Sequence, residues 1–225
     1  MSGIMTRTQQ ATRFPAGLYG VTPDWHDTDR LLAAVDIAAR NGMRAVQLRR
    51  KNIDASARRA QALALQSLCR ERGVTLVIND DWRLADDIGA DCVHIGREDA
   101  VIDTVRAAID PGILVGVSCY NDLALAERAL SQGADYVAFG AVFPSSIKPD
   151  AVRADLDLFT RARALLQANP APRASVVAIG GITPANCASV VRAGADSIAL
   201  ITGLFEAPDI ASAARACARH YQLED

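Results

Sequence analysis

Short apolar runs alternate with longer amphipathic or alanine-rich stretches along the whole chain. The runs at 18–21, 45–48, 74–78, 92–95, 113–117, 136–139, 176–179 and 197–201 read as strands. The stretches near 28–41, 54–72, 81–88, 98–109, 121–132, 155–168, 184–193 and 208–222 read as crossover helices. Strict strand-then-helix alternation predicts a parallel sheet, and eight such units in 225 residues predict closure. The expected fold is therefore α/β, a single (β/α)8 TIM barrel over residues 15–225, preceded by a disordered leader at 1–14.

An internal repeat supports this reading. Gly42-Met43-Arg44-Ala45-Val46-Gln47-Leu48-Arg49 aligns with Gly89-Ala90-Asp91-Cys92-Val93-His94-Ile95-Gly96, and the pattern returns from Gly133 and from Gly194. Each leading glycine suits the left-handed position that ends a helix. Within the repeat, Val46/Leu48, Val93/Ile95, Val137/Phe139 and Ile198/Leu200 share one parity and should face the outer helices. The other parity holds Gln47/Arg49, His94/Gly96, Ala138/Gly140 and Ala199/Ile201. Small and polar residues at strand C-termini mark a site at that end of a barrel, while His94 reads as a structural imidazole within it.

Composition narrows the partners. Half of the residues are hydrophobic and the formal net charge is -2, which gives no basis for a nucleic-acid partner. No apolar run reaches the length of a membrane span, and the leader has Thr and Gln where a signal peptide is apolar. Five cysteines without a C-x-x-C pair fit reduced thiols and a cytoplasmic location. Of 24 basic residues only Lys51 and Lys148 are lysine, and both fall in motifs that carry candidate chemistry.

The candidate substrate segment after strand two is Gln47-Leu48-Arg49-Arg50-Lys51, in which Gln47, Arg49 and Lys51 share the active face and Arg50 points away. Converging cations there imply an anion. Strand three ends in Asn79-Asp80, and Asp99 follows strand four. Two hard carboxylates at neighbouring strand ends beside an anion site suit Mg²⁺ bridging to a diphosphate, although each could instead cap a helix. The loop 140–149, with Ser145, Ser146, Ile147 and Lys148, reads as a phosphate lid. Gly180-Gly181 before a helix starting at Thr183-Pro184, together with Ile201-Thr202-Gly203, stands where barrels hold a monophosphate.

These motifs together resemble the thiamine phosphate synthase family from Tyr19-Gly20-Val21-Thr22 to Phe205. The resemblance is carried by Gln47-Leu48-Arg49-x-Lys51, Ile78-Asn79-Asp80, Val93-His94-Ile95-Gly96-x-Glu98-Asp99, Gly116-Val117-Ser118, Val142-Phe143-Pro144, Lys148-Pro149-Asp150 and Ala178-Ile179-Gly180-Gly181-Ile182-Thr183. It implies that Gln47, Arg49, Lys51, Asn79, Ser118 and Lys148 hold hydroxymethylpyrimidine diphosphate and that Asp80 and Asp99 hold Mg²⁺. Ser145, Gly180, Gly181, Ile201 and Thr202 would hold hydroxyethylthiazole phosphate. Arg49, Lys51 and Lys148, with Ser118 beside them, would serve departure of pyrophosphate, after which the thiazole nitrogen attacks the pyrimidine methylene.

The chain departs from the family pattern at Ser145-Ser146-Ile147-Lys148, where Thr-x-Thr-Lys is usual and Ile147 replaces one hydroxyl. It also has Ser118-Cys119-Tyr120 where Ser-x-His is frequent. A thiazole tautomerase shares the barrel and the Gly-Gly turn without needing a diphosphate or a metal. Asn79-Asp80 and Asp99 favour the synthase, and Tyr120 stands where the tautomerase pattern has histidine. A non-catalytic paralogue that binds phosphorylated thiamine precursors is the third reading, supported by Ile147. The oligomeric state, a homo-oligomer included, is open at this stage.

Overall fold

The computed structural model describes residues 11–50, 53–96, 101–145, 151–167 and 172–221. Eight parallel strands close in chain order: β1 (Gly17–Val21), β2 (Met43–Leu48), β3 (Thr75–Asn79), β4 (Cys92–Ile95), β5 (Leu114–Tyr120), β6 (Tyr136–Phe139), β7 (Ser175–Ile179) and β8 (Ser197–Leu200). Around them lie α1 (Thr28–Arg40), α2 (Ala55–Arg72), α3 (Trp82–Ile88), α4 (Ile102–Ala108), α5 (Leu123–Ser131), α6 (Leu156–Gln167), α7 (Cys187–Ala193), α8 (Thr202–Phe205) and α9 (Ile210–Ala218). The alternation is thus the TIM barrel that the apolar pattern predicts. Helices α1, α2, α3, α5 and α9 start on Asp27, Asp54, Asp81, Asp122 and Asp209, whose side chains accept main-chain N–H bonds in the first turn.

Three boundaries differ from expectation. Residues 11–14 belong to the barrel: Thr12 bridges to Arg173, and Phe14 is fully buried with its ring 4.3 Å from that of Tyr136. Helix α7 begins at Cys187, because the Asn186 side chain accepts from Thr183 N at 2.8 Å and donates to the Gly181 carbonyl at 3.0 Å, which shapes 183–186 into a turn. The apolar pattern also misses α8, a single turn too short to show periodicity.

Strand parity sorts the core into two layers. Val46, Leu48, Val93, Ile95, Val137, Phe139, Ile198 and Leu200 pack outward in one cluster with the helices. Tyr19, Val21, Ala45, Val77, Cys92, Tyr136, Ala138, Val177 and Ala199 fill the interior with Phe14. Burial pushes the Cys92 thiol up, and all five cysteines are free and buried. No helix of the described chain is long and apolar enough to cross a membrane.

The repeat turns out to be a bonding unit at the end where the strands begin. Asp91 accepts from Leu76 N at 2.7 Å, Asp135 from Val115 N at 2.9 Å and Asp196 from Val176 N at 2.8 Å, so each aspartate ties its own strand to the preceding one. In these three units a helix side chain grips the leading glycine's carbonyl: Gln66 that of Gly89 at 2.9 Å, Arg106 that of Gly133 at 2.7 Å and Arg163 that of Gly194 at 3.4 Å. All four leading glycines have positive φ, as the turn requires.

Candidate active site

The strand C-termini form the opposite rim. Here β2 presents Gln47, 5% exposed, and then Arg49, whose main-chain N donates to Thr22 Oγ1 at 3.0 Å. Thr22 is fully buried and its own N donates to the Gln47 carbonyl, so the ends of β1 and β2 are locked together just below Arg49. Among the described residues the half-buried Arg49 guanidinium forms no ion pair, whereas the fully buried Arg50 side chain pairs with Asp24 at 2.7 Å and contacts His26 Nδ1 at 3.3 Å. Two adjacent arginines therefore have opposite fates. One is neutralised inside the protein, and the other keeps its charge at the mouth, where the sequence leads one to expect an anion.

Leu48 and Arg50, counted in the candidate substrate segment, do not face the mouth, in keeping with strand alternation. Arg50 holds the loop after β1 and is turned away from the mouth. The Leu48 side chain, 3% exposed, sits in the outer layer between barrel and helices, where strand alternation puts it.

Asp80 and Tyr120 have positive φ, 63° and 54°, and they are the non-glycine residues in that region among those described. Both stand at the C-terminal rim, where a left-handed backbone costs on the order of 1–3 kcal/mol and so points to a functional constraint. Asp80 N donates to the His94 carbonyl at 2.8 Å, while the capping of α3 falls to Asp81, which accepts from Leu84 N. The helix-cap explanation of Asp80 is thereby removed, and a hard carboxylate at this rim fits a divalent cation. Asn79 is half-buried beside it. Among the described residues no three His, Cys, Asp or Glu side chains cluster to hold a metal, and Asp99, the second expected carboxylate, lies outside them.

Lys51, Ser146, Ile147 and Lys148 also lie outside the described residues. Ser145, half-buried, ends the described part of its loop. Gly180 and Gly181 have φ of 99° and 64°, and a Cβ on Gly181 would stand 2.4 Å from the Pro144 carbonyl oxygen. The glycines thus have a structural reason of their own: they let the turn after β7 pack on the 140–144 segment, whose Phe143 N donates to the Gly180 carbonyl at 2.9 Å. Ile201 and Thr202 enter α8, half-buried at the same rim.

Ser118 ends the inward face of β5 with its hydroxyl 2.8 Å from His94 Nε2, and His94 Nδ1 lies 2.8 Å from the Tyr136 hydroxyl. His94 is the bonded imidazole that the sequence suggests. Sequence reasoning passed over Tyr19 and Tyr136, which fill the axis beneath the mouth, although Tyr136 shares the inward parity of Ala138. A cleft of about 650 Å³ lies at the other end of the barrel, lined by Arg40, Asn41 and Arg215, but Arg40 pairs with Asp36 and Arg215 bonds Asn41 there.

Comparison with known proteins agrees with this geometry. The sequence model described as thiamine monophosphate synthase matches residues 18–204. The thiamine-phosphate synthase of Bordetella bronchiseptica is 63% identical over 211 residues, covering 94% of this chain and 97% of that protein. That of Thiobacillus denitrificans is 50% identical over 211 residues, covering 94% and 97%. Among solved structures, the thiamine phosphate pyrophosphorylase of Pyrococcus furiosus is 29% identical with a TM-score of 0.78, covering 91% of this chain and 95% of that one. With a family match across nearly the whole barrel, the chain belongs to the thiamine monophosphate synthase family.

Proposed function

We propose that this barrel condenses hydroxymethylpyrimidine diphosphate with hydroxyethylthiazole phosphate, forming thiamine phosphate and releasing pyrophosphate. The observation that carries the chemistry is Arg49, a half-buried guanidinium at the mouth with no ion pair among the described residues, beside an arginine that has one. Such a cation is matched to a phosphate that gains charge as a bond to carbon breaks.

In this reading Arg49, Lys51 and Lys148 bind the diphosphate, and Gln47, Asn79 and Ser118 orient the pyrimidine. Ser145, Gly180, Gly181, Ile201 and Thr202 receive the thiazole phosphate, and Ser146 and Ile147, which follow Ser145 in the sequence, are assigned to the same substrate. Asp80 and Asp99 would hold Mg²⁺, which when bound would neutralise charge on the leaving group. The chain's own residues then position the thiazole nitrogen against the methylene carbon and need supply no nucleophile. The free, buried cysteines support the cytoplasm as the compartment.

The test mixes the purified protein with both substrates and Mg²⁺ and follows pyrophosphate and thiamine phosphate. Release of both supports the synthase. Thiazole isomerisation without pyrophosphate overturns it in favour of a tautomerase, and binding without turnover in favour of a carrier. Asp80→Ala is expected to abolish Mg²⁺-dependent turnover, and activity near wild type in that variant removes the metal assignment.

A further inference from the structure

A continuous line of hydrogen bonds crosses the barrel from one substrate-facing residue to another. Gln47 Nε2 donates to the Tyr19 hydroxyl at 2.6 Å, which lies 3.2 Å from the Tyr136 hydroxyl. Tyr136 meets His94 Nδ1 at 2.8 Å, and His94 Nε2 meets Ser118 Oγ at 2.8 Å. Tyr19 is 2% exposed and Tyr136 fully buried. The space for the Tyr136 ring exists because Gly116 has no Cβ, which would stand 1.9 Å from that ring. Burial pushes both phenols well above their ordinary pKa, so each keeps exactly one proton to donate.

The direction of the line follows from counting those protons. The Tyr19 oxygen already accepts from Gln47, so its own proton must go to Tyr136, its one other hydrogen-bonding neighbour among the described residues. Tyr136 then donates to His94 Nδ1. The imidazole is left with its proton on Nε2, donates to Ser118 Oγ, and turns the serine proton toward the mouth. With Gln47 Nε2 facing Tyr19, reversal would leave the Tyr19 proton buried without an acceptor, at a cost of about 1–3 kcal/mol, so the line reverses only together with the Gln47 amide. An imidazolium at His94, a donor from both nitrogens, leaves the same proton stranded.

We propose that Tyr19 and Tyr136 are positioning residues that fix the polarity of both ends of this line. Gln47 thereby presents its carbonyl as an acceptor, and Ser118 presents a donor. This rests on the reading above, in which both residues face the pyrimidine diphosphate. The pair of signs suits an aminopyrimidine: its exocyclic amine donates, while its ring nitrogens and diphosphate oxygens accept. The two contacts are also one switch, since an amide flip at Gln47 converts Ser118 from donor to acceptor three strands away.

The test is the tautomer of His94 by nitrogen NMR on the substrate-free protein, so that it stands apart from any outcome of the synthase assay. The wild type is expected to carry the proton on Nε2. In Gln47→Glu, followed upward in pH until the buried carboxyl has ionised, the side chain can only accept, so Tyr19 must donate to it and the His94 proton is expected to move to Nδ1. A wild-type Nδ1–H form or imidazolium, or an unchanged tautomer in Gln47→Glu, overturns the proposal. In turnover, Tyr136→Phe is expected to lower kcat/KM for the diphosphate substrate about tenfold, and Ser118→Ala added to it is expected to cost little more. Fully additive losses in the folded double variant would separate the two residues and overturn the coupling.

Discussion

Arg173 and Arg49 stand at opposite ends of the same barrel. Arg173, 1% exposed, places both terminal nitrogens on Asp196 at 2.7 and 2.8 Å, and Asp196 also takes Arg163 and the Val176 amide. Arg49 has its main chain held by Thr22 but, among the described residues, no carboxylate for its guanidinium. Where strands begin, charge is cancelled within the protein and becomes part of the architecture. Where strands end, charge is held in place and left uncancelled, which is how a rim is prepared for an anionic ligand.

The contrast can be broken at either end, and the largest effect is expected at the closed one. Asp196→Ala leaves two arginines without their carboxylate in a buried setting, a change that costs about 3–5 kcal/mol. The melting temperature is expected to fall by about 10 °C, with kcat of the folded fraction unchanged. A melting curve within error of wild type would show that the pairing contributes nothing. Arg49→Met should behave in the opposite way: kcat/KM drops about 10²–10³-fold while the thermal transition stays in place. Retained activity there would remove the central anion ligand from the proposed site. Asp91→Ala makes the finest distinction. Asp91 occupies the same repeat position as Asp196 but is exposed and forms no ion pair among the described residues, so only its bond to Leu76 N is lost, worth about 1 kcal/mol. A loss as large as that of Asp196→Ala would mean that the amide tie, and not the arginines, carries the closed rim.

What the sequence discloses and what it hides follow the same division. Alternation along a strand is a local property, so the outward set from Val46 to Leu200 and the inward place of Gln47 can be read from neighbours alone. The fate of Arg50 cannot, because its partner Asp24 lies 26 positions back on another loop. Tyr136 is harder still. Parity sends it inward, but its place as the plug under the mouth depends on the missing side chain of Gly116 across the sheet and on Phe14 below. The repeat glycines announce their turns, while the task of Asp135 and Asp196 becomes visible only when Arg106 and Arg163 are seen to reach them.

The clasps of Gln66, Arg106 and Arg163 on the repeat glycines span 23, 27 and 31 residues, always forward along the chain. Each can close soon after the next turn has been synthesised, because short loops are cheap to shut. The line from Gln47 to Ser118 includes a step of 117 residues between Tyr19 and Tyr136. The ring is therefore assembled by near neighbours in order of synthesis, whereas the alignment of its mouth must wait until the first strand meets the sixth.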